Sequence, residues 1–357
     1  MLTSERLVIK SHLRDYTVDF LGEFTSALAQ HGENSYFIID QQVLDLYRGQ
    51  LHPFCPTQRL IAVEATEANK TMEYCQGLIA RLVDLNIRRN SSLVALGGGV
   101  IQDITAFVAS VLFRGLNWHF YPTTLLAQAD SCVGSKSSLN LGPFKNLLGT
   151  FYPPVQIIID VNLLRSLPVT EIKSGIGEIL HFYLVDGSER ADKLMERYEE
   201  VLSHPQELLG HVRASLEIKR KTVEIDEFDR KERNLFNYGH TFGHAIETIS
   251  HYGVTHGQAV TIGMDLANYI SLETGCLSQD SFQAMRRLLV KNMPPFKLAN
   301  SRLQDYLTAL SKDKKNVDCD LTCILTAGPG RMWKARLPLD DQLKRMIAAY
   351  FECYPVT

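Results

Sequence analysis

Four histidines lie close together in the segment NYGHTFGHAIETISHYGVTHGQAV, which spans residues 237–260. A helical pattern places His240 and His244 one turn apart on the same side, where two imidazoles can bind one metal ion. The helix of zinc peptidases also needs a glutamate directly after its first histidine, and here that residue is Thr241. The peptidase signature is therefore excluded, and a solvated or capped histidine pair stays as the alternative to a metal site.

A second pattern with metal-binding residue types occurs in SGIGEILHFYLV, where Glu178 and His181 lie three residues apart on one face of a predicted helix. Dinuclear metal sites use two helices that each carry Glu-x-x-His. We find no second helix of this kind in the sequence. Glu178 stays a candidate ligand of a single metal whose other ligands lie elsewhere in the chain, and an ordinary surface glutamate is the alternative, because a glutamate in a helix is more often that than a ligand.

The segment VALGGGVIQDITAFVASVLFRG reads as a strand, a glycine-rich turn and a helix. Glycines at 97, 98 and 99 let the backbone approach a phosphate, and the helix start offers free N–H groups and a positive dipole end. Asp103 can accept a hydrogen bond from a ribose or an amide. The pattern favours a pyrophosphate site, with a plain tight turn as the alternative, because it is not the GxGxxG dinucleotide fingerprint.

The next segment, TTLLAQADSCVGSKSSLNLGPFKNLLG, offers little apolar material to bury. Its polar residues lie among glycines, and they are Thr123, Thr124, Asp130, Lys136, Asn140, Lys145 and Asn146. Lysines and asparagines near glycine turns suit a ligand that carries phosphate. A loop with exposed lysines is the alternative interpretation.

The elements that must position these residues change in character along the chain. In the first half, SYFIID and SLVALG read as buried strands with a helical pattern between them, and strands WHFYP and VQIIID follow. Helical patterns then dominate, at 170–185, 190–202, 206–226, 237–250, 256–274, 279–292 and 302–311, before a strand at CDLTCILT. The alternation predicts an α/β domain with a mostly parallel sheet over residues 1–165, and a mainly α-helical domain over 166–357.

Composition narrows the class of protein. A chain of 357 residues exceeds one hydrophobic core, and its 45% hydrophobic and 22% charged residues are typical of a soluble protein. The sequence has no apolar run long enough to span a membrane and no secretory signal pattern, so we expect a cytoplasmic protein. The net charge of −3 argues against nucleic acid as a partner. Seven dispersed cysteines argue against a disulfide framework and a thiolate zinc site.

The order of several motifs carries a resemblance to a known family. The motifs are ALGGGVIQD, FRG, PTTLLAQADS, KNLLGTFYPP, GIGEIL, NYGHTFGHAIE and HGQAVTIGM. From about residue 60 to about residue 320 the chain resembles the 3-dehydroquinate synthases, and more broadly the sugar phosphate cyclases. The resemblance implies an N-terminal Rossmann-like NAD domain, a C-terminal α-helical domain and an active site in the cleft between them.

The resemblance also implies roles for individual residues. It implies a zinc ion, with cobalt as an alternative, bound by Glu178, His240 and His256, so that His244 faces the substrate. The implied NAD contacts are Asp40, Glu67, Lys70, Gly98, Gly99, Asp103, Thr123, Thr124 and Lys145. The implied contacts to a phosphorylated sugar or sugar acid are Asp130, Lys136, Asn146, Lys219, Arg233, Asn237, His244 and Lys314 or Lys315. Arg114 resembles an arginine that reaches the phosphate site of a neighbouring subunit, which implies a homodimer.

The similar enzymes convert 3-deoxy-arabino-heptulosonate 7-phosphate into 3-dehydroquinate and phosphate. The reaction they catalyse combines transient oxidation by NAD⁺, β-elimination of phosphate, reduction and an intramolecular aldol step, so NAD is not consumed. Lys219 and Arg233 form a pair of cations suited to the carboxylate of this substrate.

Two positions depart from the family pattern. In the family pattern a lysine usually lies three positions after the zinc glutamate, and this chain has His181 there. The second departure is at the usual Gly-Gly-Lys, which is Gly134-Ser135-Lys136 in this chain. A lysine is a permanent cation, whereas histidine is mostly neutral at pH 7. The alternatives are therefore sibling cyclases that take an amino analogue of the acid, sedoheptulose 7-phosphate or glucose 6-phosphate. A metal-dependent polyol dehydrogenase and a non-catalytic NAD-binding protein are further alternatives.

Overall fold

The computed structural model describes residues 5–142, 144–312 and 320–355. The strands are β1 (Glu5–Ile9), β2 (Tyr16–Phe20), β3 (Ser35–Asp40), β4 (Leu60–Val63), β5 (Ser92–Gly97), β6 (Asn117–Pro122), β7 (Lys136–Leu141), β8 (Phe144–Phe151), β9 (Gln156–Ile159), β10 (Asp320–Thr326) and β11 (Met332–Pro338). The helices are α1 (Phe24–Leu28), α2 (Gln41–Leu51), α3 (Met72–Asp84), α4 (Gly99–Val111), α5 (Val169–Asp186), α6 (Glu189–Glu196), α7 (Tyr198–Ser203), α8 (Leu208–Ile225), α9 (His240–Ile249), α10 (His256–Glu273), α11 (Gln279–Val290), α12 (Leu303–Ser311) and α13 (Asp341–Cys353).

A seven-stranded sheet has the order β1-β2-β9-β6-β5-β3-β4. Six of its strands run parallel to one another, and the edge strand β1 pairs antiparallel with β2. Ser35–Ile39 of β3 is buried throughout, because a central strand of a parallel sheet is covered on both faces. The strands predicted at SYFIID and SLVALG coincide with β3 and β5, so the predicted α/β class of the first half is confirmed.

The chain divides into two compact units, and each unit is formed by two separate segments of the sequence. The first contains Met1–Leu167 and Leu208–Phe228, and the second contains Pro168–Glu207 and Asp229–Thr357. The boundary predicted at 165 lies next to the first of these divisions. Helix α8 belongs to the first unit, however, whereas the sequence pattern assigned it to the helical second half.

Helix α10 is the buried centre of the second unit, since every residue from Gly257 to Ser271 is buried. Some of its polar side chains have hydrogen-bond partners on neighbouring elements, and others bond to carbonyls of the same helix. Asp265 accepts hydrogen bonds from Arg286 and from the hydroxyl of Tyr350, and Asn268 accepts one from Tyr238. A helix that is enclosed on all sides can keep such residues only when they have partners.

Glycines bring two helices into backbone contact with α10. A Cβ on Gly177 of α5 would overlap the carbonyl of Gly257, and a Cβ on Gly257 would overlap the carbonyl of Ser174. The backbone N–H of Gly257 also donates to the hydroxyl of Ser174 at 3.1 Å. On the other side, a Cβ on Gly243 of α9 would lie 2.9 Å from Cα of Val260. No larger residue fits at these crossings without moving a helix.

Several predicted helix limits need correction. The helix predicted over 190–202 is interrupted at Arg197, whose φ of −107° and ψ of 24° separate α6 from α7. The helix predicted over 237–250 begins at His240, because Gly239 has a left-handed φ of 78° and a 3₁₀ turn, Glu232–Asn237, precedes it. Strands β1, β2, β4, β7, β8 and β11 and helices α1, α2 and α13 were not predicted.

The sequence suggested neither a membrane-spanning segment nor a disulfide framework, and the described part of the chain bears on both points. None of its helices is both long enough and apolar enough to cross a membrane. Its cysteines are free thiols, and they are Cys55, Cys75, Cys132, Cys276, Cys323 and Cys353.

We expect Gly257→Ala to destabilise the second unit by about 1–3 kcal/mol or more, because the new methyl group overlaps the Ser174 carbonyl. Thermal unfolding followed by circular dichroism measures the effect. The matched control is Gly77→Ala on α3, where a Cβ meets no atom within 4 Å and helix propensity improves, which gives a gain of about 0.5–1 kcal/mol. Equal unfolding midpoints for the two variants would contradict the proposed contact.

Candidate functional site

Three side chains that the family resemblance assigned to a metal come together in the second unit. Glu178 lies in the middle of α5, and His240 and His256 are the first residues of α9 and α10. Oε1 of Glu178 lies 3.6 Å from Nε2 of His240 and 3.2 Å from Nε2 of His256. One ligand atom from each of the three lies within 4.8 Å of the other two.

The geometry of this group fits a metal ion. Ligands about 2.1 Å from a tetrahedral zinc ion lie about 3.4 Å from one another, close to the two distances from Glu178. Oε1 of Glu178 is buried and has no hydrogen-bond partner in the described part of the chain. A buried carboxylate oxygen of this kind is costly unless a cation or a donor reaches it.

His244 lies beside this group and belongs to a second set of donor atoms. Its ring centroid is 5.6 Å from that of His240 and 5.7 Å from that of His256. Ligand atoms of His244, Glu247 and His256 also lie within 4.8 Å of one another. The pair at one-turn spacing is therefore adjacent in space, but the group that contains Glu178 includes His240 and not His244.

Glu247 is a residue of this region that the sequence reasoning missed. Its Oε2 lies 3.0 Å from Nδ1 of His256. Burial opposes a charged imidazole, yet the carboxylates of Glu247 and Glu178 raise the pKa of His256 well above its usual value. The two carboxylates thus favour positive charge at this ring, which a proton or a metal ion supplies. The sequence feature that could have indicated Glu247 is its position two helical turns after His240, on the same predicted helix.

His181, which replaces the usual lysine, is almost fully buried at 1% exposure. Its Nδ1 lies 3.6 Å from Oε2 of Glu178. The ring packs against Phe182, Phe236 and Tyr238 at centroid distances of 5.0, 6.0 and 6.3 Å. The imidazole therefore lies next to the second oxygen of the candidate metal ligand.

In the first unit, the predicted NAD residues lie at the carboxyl ends of neighbouring strands. Asp40 ends β3, Gly98 follows β5 and Thr123 follows β6, and β5 lies between the other two in the sheet. Glu67 lies on the turn after β4, the next strand. Ligands of open parallel sheets bind at this edge. Burial raises the pKa of Asp40, whose carboxylate accepts the N–H of Gln42 at 3.0 Å.

The glycine-rich turn leaves space above the first turn of α4. A Cβ on Gly99 would meet no atom within 4 Å, whereas one on Gly98 would lie 2.9 Å from Cγ2 of Thr124. The first N–H groups of a helix have no acceptor within the helix. Open space beside them is the arrangement that a phosphate group needs.

Lys70 is the centre of a buried polar network beside this turn. Its Nζ donates to Oδ2 of Asp103 at 3.0 Å and to Oδ1 of Asn146 at 2.6 Å, and it lies 3.4 Å from Oε1 of Glu67. Burial raises the pKa of Asp103 although Lys70 opposes the rise. For Glu67, burial is outweighed by Lys70, by a hydrogen bond from Asn140 and by Lys145, so its pKa is lowered. Nζ of Lys145 lies 3.9 Å from Glu67.

Lys219 of α8 is paired with Asp130. Its Nζ donates to the carboxylate and to the backbone carbonyl of Asp130, both at 2.7 Å. Asp130 lies on a π-helical turn, Ala127–Ser131, a distortion that often occurs at functional sites. Lys219 therefore already has an anionic partner, so its burial does not by itself require a substrate anion.

Arg233 belongs to the second unit, on the 3₁₀ turn before α9, and is 5% exposed.

The remaining predicted substrate residues differ in exposure. Lys136 begins β7 and is exposed, and Asn237 is half-buried with its amide donating to the carbonyl of Asn234 at 3.1 Å. Arg114 is exposed and has a left-handed φ of 67°. Lys314 and Lys315 lie outside the described residues.

Glu227 holds the turn that leads into Lys136, and the sequence reasoning missed it as well. Its 3%-exposed carboxylate accepts hydrogen bonds from the hydroxyls of Ser11 and Ser135 at 2.8 and 2.7 Å and from the N–H of His12 at 2.8 Å. Burial is outweighed by these bonds, so the pKa of Glu227 is lowered. Ser135 has a φ of 62°, which is costly for a serine, and the bond to Glu227 offsets that cost.

Two family models match the chain. One, described as 3-dehydroquinate synthase N-terminal, matches residues 60–174, and the other, described as 3-dehydroquinate synthase C-terminal, matches residues 175–316. Together they cover well over half of the 357 residues. The chain belongs to the 3-dehydroquinate synthase family.

Individual relatives agree with membership of the 3-dehydroquinate synthase family. The 3-dehydroquinate synthase of Thermoanaerobacter sp. (strain X514) is 34% identical over 320 residues, which are 88% of this chain and 90% of the relative. A solved 2-deoxy-scyllo-inosose synthase, complexed with carbaglucose-6-phosphate, NAD⁺ and Co²⁺, has a TM-score of 0.85 at 23% identity and covers 97% of this chain and 99% of its own. The 2-epi-5-epi-valiolone synthase of Streptomyces hygroscopicus subsp. jinggangensis 5008, with NAD⁺ and Zn²⁺ bound, has a TM-score of 0.81 at 25% identity and covers 94% and 96%. The predicted family and fold class are confirmed.

We expect His240→Ala and His256→Ala to lose most of the bound metal, because each removes one of the three ligand atoms around Glu178. Metal content of purified protein, measured by atomic emission, tests this. His244→Ala is the matched control on the same helix and should keep its metal. Retention of metal by His256→Ala together with loss by His244→Ala would refute the assignment.

Proposed function

We propose that this chain is a 3-dehydroquinate synthase that converts 3-deoxy-arabino-heptulosonate 7-phosphate into 3-dehydroquinate and phosphate. The observation that carries the proposal is the group of Glu178, His240 and His256, whose spacing fits one metal ion, in a chain that belongs to this family. We propose zinc as the ion, with cobalt as a substitute, and NAD⁺ as the second cofactor. When bound, NAD⁺ takes up and returns a hydride, and the metal lowers the pKa of a hydroxyl that coordinates it.

The residues at the carboxyl edge of the sheet would hold the dinucleotide. The N–H groups at the start of α4 would bind its pyrophosphate beside Gly98 and Gly99. Asp103 is oriented by Lys70 and by the N–H and hydroxyl of Ser138, which lie 2.9 and 2.8 Å from its oxygens. A carboxylate fixed in this way can accept a hydrogen bond from the cofactor without first losing rotational freedom.

The charged residues of the site would then bind the substrate. Arg233 is 5% exposed, and its planar guanidinium suits a bidentate contact with a carboxylate. Lys136 is exposed and offers a point charge for a phosphate, and the Glu227–Ser135 bond supports the turn before it. His244, beside the metal group, would act on the substrate and not on the metal. We further propose a homodimer in which the exposed Arg114 reaches the neighbouring subunit.

Sibling cyclases remain the second candidate, because His181 replaces the lysine that is usual in this family. Its imidazole lies next to Oε2 of Glu178 at 3.6 Å, so the substitution changes the surroundings of a proposed metal ligand. A substrate without a carboxylate would not use the bidentate contact that we propose for Arg233, which disfavours sedoheptulose 7-phosphate and glucose 6-phosphate.

We expect the purified protein with zinc and NAD⁺ to release phosphate from 3-deoxy-arabino-heptulosonate 7-phosphate without net formation of NADH. A panel that adds the amino analogue, sedoheptulose 7-phosphate and glucose 6-phosphate, with phosphate and absorbance at 340 nm followed together, tests this. Efficient release of phosphate from one of the other three would favour the corresponding sibling. Stoichiometric NADH would favour a dehydrogenase.

We expect Arg233→Ala to raise KM for the carboxylated substrate by roughly 10²-fold, equivalent to about 3 kcal/mol, because a charge-assisted contact is lost. Arg233→Lys keeps the charge but not the bidentate geometry and should give an intermediate KM. The control is Arg287→Ala, which removes an exposed arginine on α11. Steady-state kinetics on protein with verified zinc and NAD⁺ content provides the measurement, and an unchanged KM for Arg233→Ala would rule out this contact.

A further inference from the structure

The two ring nitrogens of His256 face two different carboxylates. Nε2 lies 3.2 Å from Oε1 of Glu178, within the group that fits a metal ion. Nδ1 lies 3.0 Å from Oε2 of Glu247, which is hydrogen-bond distance. A neutral imidazole has one N–H and one lone pair, so when one nitrogen binds a metal the other can donate a hydrogen bond.

Glu247 is held in place by helix packing and not by a mobile loop. It lies on α9, two turns after the ligand His240, and its side chain is 14% exposed. Gly243 brings α9 into backbone contact with α10, the helix that begins at His256. The distance between the carboxylate and the imidazole is therefore set by the same crossing that brings His240 and His256 together.

Glu247 has two conceivable roles, because it also belongs to the donor set with His244 and His256. In that set it would bind the metal directly. A metal there could be bound by Nδ1 of His256, and Nε2–H of the same ring would then donate to Oε1 of Glu178 at 3.2 Å. A metal at Glu178 instead places the cation on the more buried of the two carboxylates, whose side chains are 2% and 14% exposed, and Glu247 keeps its bond to Nδ1 of His256.

We propose that Glu247 is a positioning residue of the metal centre. Its carboxylate accepts the Nδ1–H of His256, which fixes the orientation of the ring, keeps the lone pair on Nε2 and makes that nitrogen a stronger ligand. The proposal concerns metal binding, and it rests on the proposed function only in taking the same centre as the one used in catalysis.

Metal affinity tests the proposal independently of any substrate. We expect Glu247→Ala to raise Kd for Zn²⁺ by about 10–100-fold, measured by competition with a chromophoric chelator. Glu247→Gln keeps a neutral acceptor of the same shape and should give a smaller rise. The control is Glu273→Gln, which changes an exposed glutamate at the far end of α10 and should leave Kd unchanged.

The spectrum of the Co²⁺-loaded protein separates positioning from direct binding. A positioning residue leaves the number of ligands unchanged, so the intensity of the visible absorption should be the same in Glu247→Gln and in the unaltered protein. A change to a spectrum of higher coordination number would show that Glu247 is a ligand and would overturn the proposal.

A pair of variants then tests whether Glu247 acts through His256. In the His256→Ala background, Glu247→Ala should cause no further rise in Kd, whereas additive effects would contradict the proposal. The unfolding midpoint of the metal-free Glu247→Gln protein should equal that of the unaltered protein, which excludes a merely structural role. Unchanged Kd in both Glu247 variants with an active unaltered protein overturns this inference alone. Altered Kd with no phosphate release from any substrate overturns the proposed function alone.

Discussion

Backbone contact between α10 and its two neighbours determines the arrangement of the second unit. Each donor of the metal group is adjacent in sequence to a glycine at or next to these crossings: Gly177 precedes Glu178, Gly239 precedes His240 and Gly257 follows His256. A Cβ on Gly239 would lie 2.7 Å from the carbonyl of Val260, so this glycine also faces α10. Close-packed helices cannot slide past one another by even fractions of an ångström. The helix crossings therefore fix the positions of the three donors relative to one another.

The first unit positions its charged residues by a different physical means. Here the position of each side chain depends on a charge-assisted network, since Lys70 contacts the oxygens of Asp103, Asn146 and Glu67 at once. Such a network is strong when every member is satisfied and costly when one member is removed. A ligand that binds at this edge of the sheet must therefore add hydrogen bonds to the network without taking away those that Lys70 already makes.

Local periodicity was sufficient to predict four strands of the seven-stranded sheet, β3, β5, β6 and β9, and most of the helices. The apolar runs of β3 and β5 and the limits of α10 follow from patterns of 4 to 18 residues, which a single segment contains. Pairings between distant segments were beyond such patterns. His256 lies on a different helix from His240, and only the family resemblance linked them. Lys219 and Arg233 are 14 residues apart in sequence yet belong to different units. Lys219 is paired with Asp130, from which it is separated by 89 positions in the sequence.

The interleaving of the two units has a consequence for synthesis of the protein on the ribosome. Helix α8 completes the first unit, but it is translated only after α5, α6 and α7 of the second. Asp130 and the carbonyl of Ala129 gain their bonds to Lys219 and Ser215 when that helix arrives. A nascent chain that stops at residue 167 would lack these bonds, so the first unit can be completed only after the segment Pro168–Glu207 of the second unit has been synthesised.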